Sequence, residues 1–215
     1  MAVPRGGSSS FDVVASLGAR SHCQQSEGSK YVALLPDSIQ AGAIELCRPR
    51  PEAVDDVLEA VESSFPELHH WLSWAQVEPT REWLLGVLEE DQANFEADEH
   101  WAFTLREPER GKVAGCAALH TDPEVGTVII GYWVRTECTG RGYASAAVRA
   151  LTDAAFQFLP EIERIRIDMD RANSASVAVA RKAGYQLVGE VDREVLAPGH
   201  SGRGLLWATE RSSWK

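Results

Sequence analysis

Cysteine is scarce and scattered. Cys23, Cys47, Cys116 and Cys138 form no close CxxC pair, so neither a zinc site nor a dithiol redox centre has its framework here. They are expected to be reduced bystanders, and no metal is expected. Long apolar runs are missing too. Nothing approaches the ~18 to 20 consecutive apolar residues of a membrane helix, and no basic stretch followed by an apolar core opens the chain, so a cytoplasmic protein with no membrane partner is expected. Basic residues are in the minority: 21 Lys and Arg against 32 Asp and Glu leave a formal net charge of −11, which repels polyanions, attracts cationic amines and favours solubility. Nucleic acid is therefore a poor partner.

What the chain does have is apolar content, 44% of 215 residues, enough for one full core. Residues 1–40 stand apart. Small polar residues dominate there and cannot offset the entropy of ordering, so a flexible tail is expected, with the run from Tyr31 to Leu35 able to dock as an extra strand. Residues 41–215 are expected to form one domain. Alternation at Ile44 and Leu46 predicts a strand. Pro51 stands in the first turn of a predicted helix reaching Ser63, with Val54, Val57, Leu58 and Val61 on one face. A second helix is predicted over 67–76, and a third, capped by Thr80, runs to Phe95. Three strands follow, over 101–105, 113–119 and 127–134. A long amphipathic helix then ends at Phe158 before Pro160. A strand over 165–169, a short helix over 174–183 and strands over 187–196 and 205–209 complete the pattern. Strands and helices interleave only partly, which predicts a mixed sheet in an α/β (α+β) three-layer domain.

Between the strand ending near Val134 and the long helix lies Thr139-Gly140-Arg141-Gly142-Tyr143-Ala144. A glycine-rich turn in that position aims free backbone N–H groups, reinforced by the helix dipole, at an anion. Gly140 and Gly142 let the backbone approach phosphate without an intervening Cβ, and Arg141 is expected to add a mobile positive charge. Two nucleotide motifs are excluded. Gly142 is followed by Tyr143 rather than the Lys and Ser or Thr of a P-loop, and GxGxxG spacing is absent. Taken alone, a GxG turn is a weak signal and is more often an ordinary helix entry.

Its surroundings are specific. Gly131-Tyr132-Trp133-Val134, the glycine turn, Asp170-x-x-Asn173-x-x-Ser176 and Lys182-Ala183-Gly184-Tyr185 resemble, in order and spacing, the RimJ/RimL branch of the GNAT superfamily. Trp71-Leu72-Ser73-Trp74 is similar to that branch's tryptophan-rich early segment. One position departs: the family's phosphate turn usually begins with Gln or Arg, and here stands Thr139. Because the main donors are backbone amides, this should weaken binding little. The resemblance implies a GNAT fold, with a mixed, mostly antiparallel sheet of about six to seven strands flanked by helices. It also implies a splay between the fourth and fifth strands, 127–134 and 165–169. Acetyl-CoA is the implied co-substrate, with its pyrophosphate on Thr139 to Ala144. Its pantetheine arm would lie in the splay and pair with backbone groups of Trp133, Val134 and Arg135, one N–H near Trp133 stabilising the oxyanion. The implied reaction is N-acetylation by direct attack of a primary amine, on a peptide terminus or a small molecule.

An attacking amine must be neutral, and an α-amino group at ~7.7 to 8.0 needs a weaker base than lysine at ~10.4. Glu194 falls near a proposed catalytic glutamate of RimL-like enzymes. His120, at a strand end, titrates in a useful range, and Glu99 is a third candidate base. All three fit passive surface roles as well. The departing thiolate benefits from a proton donor. Many GNAT enzymes supply a tyrosine seven residues after the motif asparagine, where this chain has Ala180. Ser176 is what the branch offers instead, with a hydroxyl able to hydrogen-bond the sulfur. Asn173 fits pantetheine binding, capping of the helix it precedes, or both. Trp71, Trp74 and Trp83 lie on the early helices that form the acceptor-side wall in the family, where with Glu67 or Glu78 they could hold a cation; core packing at helical spacing is the commoner explanation. A homodimer, a longer acyl-CoA or aminoacyl-tRNA donor, and a non-catalytic acyl-CoA-binding module stay open, the tRNA donor being disfavoured by the acidic charge.

Overall fold

The computed structural model describes residues 35–215, so most of the expected tail lies outside the described residues. Its expected boundary at residue 40 falls inside a strand: Ser38–Ala41 (β1) pairs antiparallel with Ile44–Cys47 (β2). Leu35, from the run expected to dock as a strand, is buried in the core without strand geometry.

A 3₁₀ turn at Pro51–Ala53 feeds α1 (Val54–Glu62), which buries Val54, Val57, Ala60 and Val61. Pro66 lies in the first turn of α2 (Phe65–Trp71). This helix is shorter than predicted, because the backbone turns extended at Leu72 and Ser73–Gln76 form a separate 3₁₀ turn. The Trp83 N–H donates to Thr80 Oγ1 at 3.2 Å to cap α3 (Arg81–Glu96). Then come β3 (His100–Glu107), β4 (Lys112–Thr121), β5 (Thr127–Val134), α4 (Tyr143–Phe158), β6 (Arg164–Asp170), α5 (Ser174–Ala183), β7 (Gln186–Asp192) and β8 (Arg203–Glu210).

The eight strands form one sheet in the order β1-β2-β3-β4-β5-β6-β8-β7. The extra strand is β1, which shifts the predicted splay to the fifth and sixth strands. Helices α4 and α5 cover one face with a core that takes in Phe103, Leu119, Ile130 and Leu151, and α1 to α3 cover the other around Val57, Leu84, Leu88 and Trp133. Strands buried on both faces read as near-continuous apolar runs, as β4 and β5 do. Each fully covered Leu or Ile contributes about 1.5–3 kcal/mol. At Gly115, beside the splay, φ is +148 and a Cβ would sit 2.2 Å from the Trp133 carbonyl oxygen. Only a hydrogen fits where β4 and β5 touch there.

All neighbouring strands run antiparallel except β5 and β6. Those two pair only at Thr127↔Arg164, Val128↔Ile165 and Ile129↔Arg166, and part beyond that point. No described helix is long and apolar enough to cross a membrane.

Candidate active site

Where the two strands part, Ile130 to Val134 and Ile167 to Asp170 line a cavity of about 600 Å³. The glycine turn lines it as well, as do Trp71 and, in the loop after β7, Glu194 and His200.

The turn owes its shape to two left-handed residues, Gly140 (φ +76) and Gly142 (φ +85), a conformation glycine adopts with little strain. No side chain caps α4, and the Ala146 N–H is the first to find an intrahelical acceptor, the Gly142 carbonyl at 3.0 Å. The N–H groups of residues 140–145 therefore have no backbone acceptor among the described residues. Gly140, Gly142, Tyr143, Ala144 and Ser145 line the cavity, with Thr139 beside them. A row of free donors at the positive end of a helix is an anion site in waiting.

Arg141 does not supply a mobile charge there. Its Nη1 donates to Glu107 Oε1 at 3.0 Å, the Tyr143 hydroxyl donates to the same oxygen at 2.6 Å, and Arg141 does not line the cavity. Glu107 is buried. The Tyr143 hydrogen bond, then Arg110 and Arg141, hold its carboxyl below the ordinary range. The cation that does face the turn is Lys182 on α5, whose Nζ lies 3.8 Å from where a Gly142 Cβ would be. It makes no ion pair among the described residues.

Trp133 and Val134 border the splay, the Trp133 side chain itself being buried in the core under α1 to α3. Arg135 turns away. Its N–H donates to the Ala114 carbonyl at 2.8 Å, and its buried guanidinium pairs with Glu59 at 2.9 Å and Glu137 at 3.2 Å. Across the cavity, Asn173 Oδ1 accepts from the Ser176 N–H at 3.0 Å and caps α5, and both residues line the cavity.

Of the three candidate bases, the structure brings only Glu194 to the cavity, exposed in the loop after β7 rather than on a strand. His120 belongs to β4, which runs one residue further. It pairs with His100, its ring 4.3 Å from that of His100, and borders a separate void of about 30 Å³ with Asp91 and Cys116. Burial, then the neighbouring His100, pushes its pKa well down, so it is a neutral packing residue. Glu99 is exposed ahead of β3, off the cavity. Among the tryptophans, Trp71 lines the cavity, whereas Trp74 and Trp83 stack on each other at 6.2 Å against the core under α1 to α3. Glu67 lines the cavity, accepting from Thr136 Oγ1 at 3.0 Å, and Glu78 does not.

Two further residues shape the far end. The Gly199 N–H donates to the His70 carbonyl at 2.7 Å. His200 Nδ1 accepts from the Leu196 N–H at 3.2 Å, so Nε2 carries the hydrogen and donates to the Trp71 carbonyl at 2.9 Å. Both ring nitrogens are spent, and His200 clasps the loop to the end of α2. Glu107 and His200 carry no motif signal because each acts across a long stretch of chain. Lys182 does have one, as part of Lys182-Ala183-Gly184-Tyr185.

A model of the acetyltransferase (GNAT) domain matches residues 44–186. Among solved structures, the microcin C7 self-immunity acetyltransferase MccE, in complex with acetyl-CoA and AMP, superposes with a TM-score of 0.74 at 19% identity, over 83% of this chain and 99% of that one. RimL, a ribosomal L7/L12 α-N-protein acetyltransferase in complex with coenzyme A, gives 0.73 at 20% identity, over 80% and 97%. Mycobacterium smegmatis RimJ in complex with CoA-disulfide gives 0.71 at 21% identity, over 81% and 88%. At these identities the likeness is one of fold. Among curated proteins, no sequence matches this chain.

Proposed function

Since the chain belongs to the acetyltransferase (GNAT) domain family, we propose that it transfers the acetyl group of acetyl-CoA to a primary amine, a peptide N-terminal α-amine or a small-molecule amine. One observation carries this reading: the N–H groups of residues 140–145 have no backbone acceptor among the described residues, and all of those residues but Arg141 line a cavity continuous with the gap between β5 and β6.

The donor's pyrophosphate would rest on those amides with Lys182 alongside, where helix dipole and charge act together. The pantetheine arm would add to the free edge of Trp133 and Val134 as a partial strand. An N–H near Trp133 would hold the oxyanion that develops on the thioester carbonyl. The amine enters from the end bounded by Trp71, Glu67 and Glu194, where exposed carboxylates attract its ammonium form. Glu194 takes the proton, the neutral amine attacks, and Ser176 hydrogen-bonds the departing sulfur. RimL acts on a protein α-amine, which supports a peptide terminus as one acceptor class.

The test is release of free thiol from acetyl-CoA in the presence of amino acids, peptides and amine antibiotics. Acceptor-dependent release is expected with at least one class, and a fall in kcat with little change in donor affinity is expected for Ser176→Ala. Tight acetyl-CoA binding with no release for any amine would leave a binding module and overturn the catalytic reading.

A further inference from the structure

Three tyrosines lie among the described residues. Two are spent: Tyr143 donates to Glu107, and the Tyr185 hydroxyl is 2.6 Å from Thr152 Oγ1. Tyr132 is different. It lies on β5 just past the point where β5 leaves β6, it borders the cavity, and its buried hydroxyl has no well-formed hydrogen bond, Ser176 being the side chain near enough to accept one. A buried, unpaired hydroxyl costs about 1–3 kcal/mol, so it calls for an explanation. Its neighbour is Ser176 on α5, which lines the same cavity.

We propose that Tyr132 is a positioning residue that works through Ser176: its hydroxyl donates to Ser176 Oγ and so turns the serine's own hydrogen toward the sulfur that leaves. The proposal rests on the placement of the donor thioester beside Ser176 given above. A serine hydroxyl has one hydrogen and two lone pairs. When a lone pair accepts from Tyr132, the serine hydrogen is committed elsewhere and becomes a stronger donor, as in any hydrogen-bonded chain. As the amine nitrogen bonds to the carbonyl carbon, the C–S bond breaks and the sulfur keeps the electron pair. Ser176 meets that developing thiolate, the acylated nitrogen gives up its proton to the medium, and the thiolate takes one from it. Burial pushes the Tyr132 phenol up to about 12, with Ser176 drawing it back in part. That lies far above a thiol near ~8.5, so the tyrosine keeps its proton throughout and acts by direction alone. In this way β5 supplies the aromatic hydroxyl that α5, with Ala180, lacks.

The experiment is a double-mutant cycle on the full chain: wild type, Tyr132→Phe, Ser176→Ala and both together. Single-turnover transfer from pre-bound acetyl-CoA is read beside donor Kd by calorimetry and Tm. Tyr132→Phe is expected to slow transfer about fivefold to twentyfold, with Kd within about twofold of wild type, and to cause no further loss in the Ser176→Ala background. An unchanged rate for Tyr132→Phe, or the same fold loss in both backgrounds, overturns the proposal while the donor site stands. A second probe guards against a purely structural effect. The seleno-ester of acetyl-CoA releases a more acidic leaving group that needs less help, so the Tyr132→Phe deficit should shrink with it; an equal deficit for both esters counts against the relay. Failure of the broader reading looks different, as absent acetyl-CoA binding or a Ser176→Ala rate equal to wild type.

Discussion

Tyr143 donates its hydroxyl hydrogen to Glu107 Oε1 at 2.6 Å, tying the first residue of α4 to the end of β3. Arg141 reaches the same oxygen from within the turn. One buried carboxylate thus fixes both sides of Gly142 and holds the free amides in a row. Glu107→Gln, which keeps an amide oxygen for Tyr143 but removes the charge under Arg141, is expected to raise the acetyl-CoA Kd about threefold to tenfold. Adding Tyr143→Phe removes the contact that Glu107→Gln keeps and should raise the Kd further. Calorimetry on the two variants beside wild type checks both statements. Acid acts in the same direction. The folded pKa of Glu107 is below its ordinary 4.5, so its stabilising contribution is complete above that value and is lost as pH falls through the folded pKa.

Gly142→Trp should abolish acetyl-CoA binding measured by calorimetry. At φ +85 any side chain is strained, and an indole would stand where phosphate must approach. Unchanged affinity would remove the donor from this turn.

His120 predicts a pH effect without a catalytic one. Its folded pKa is well below 6.5, so the unfolded chain takes up a proton first as pH falls. Its contribution to stability is present above about 6.5 and is lost as pH falls toward the folded pKa, at up to ~1.4 kcal/mol per pH unit. Comparison with His120→Phe isolates this slope from that of Asp91, whose carboxyl burial pushes up. Urea unfolding across weakly acid pH should show a shallower dependence for the variant, while kcat at neutral pH stays within about twofold.

The tryptophans should divide into two kinds. Trp71→Ala is expected to raise the acceptor KM several-fold with Tm little changed, because Trp71 lines the cavity and its tie to His200 is through the backbone carbonyl. Trp74→Ala breaks the stack with Trp83 and should cost about 2 kcal/mol of stability, below the range for fully buried aromatics. Steady-state kinetics and thermal unfolding on the pair separate the roles.

The course of the chain was legible because local chemistry dictates it: Pro51 and Thr80 start helices, Gly184 ends one, and Gly140 and Gly142 take φ values that other residues avoid. The splay was legible through the resemblance of the Gly131 to Val134 run and the turn that follows. Three things were not. Helical spacing gives Trp71, Trp74 and Trp83 the same reading, and only the extended residue Leu72, which breaks the predicted second helix, sends Trp71 to the cavity and Trp74 to the core. The predicted end of β4 falls two residues short of Thr121, which leaves His120 at a strand end rather than inside the strand. Arg141 looked free because its partner Glu107 lies 34 positions upstream, a distance over which sequence carries no pairing signal.

The clasp over the far end of the cavity has a bearing on how specificity can change. Gly199 and His200 grip carbonyl oxygens of residues 70 and 71, not their side chains, and every residue presents the same carbonyl. Substitution at Trp71, which lines the cavity, can therefore resculpt the entrance while the frame above it holds its place. A mutational library confined to Trp71 and Glu67, which line the cavity, would vary what is admitted at little expense in folding.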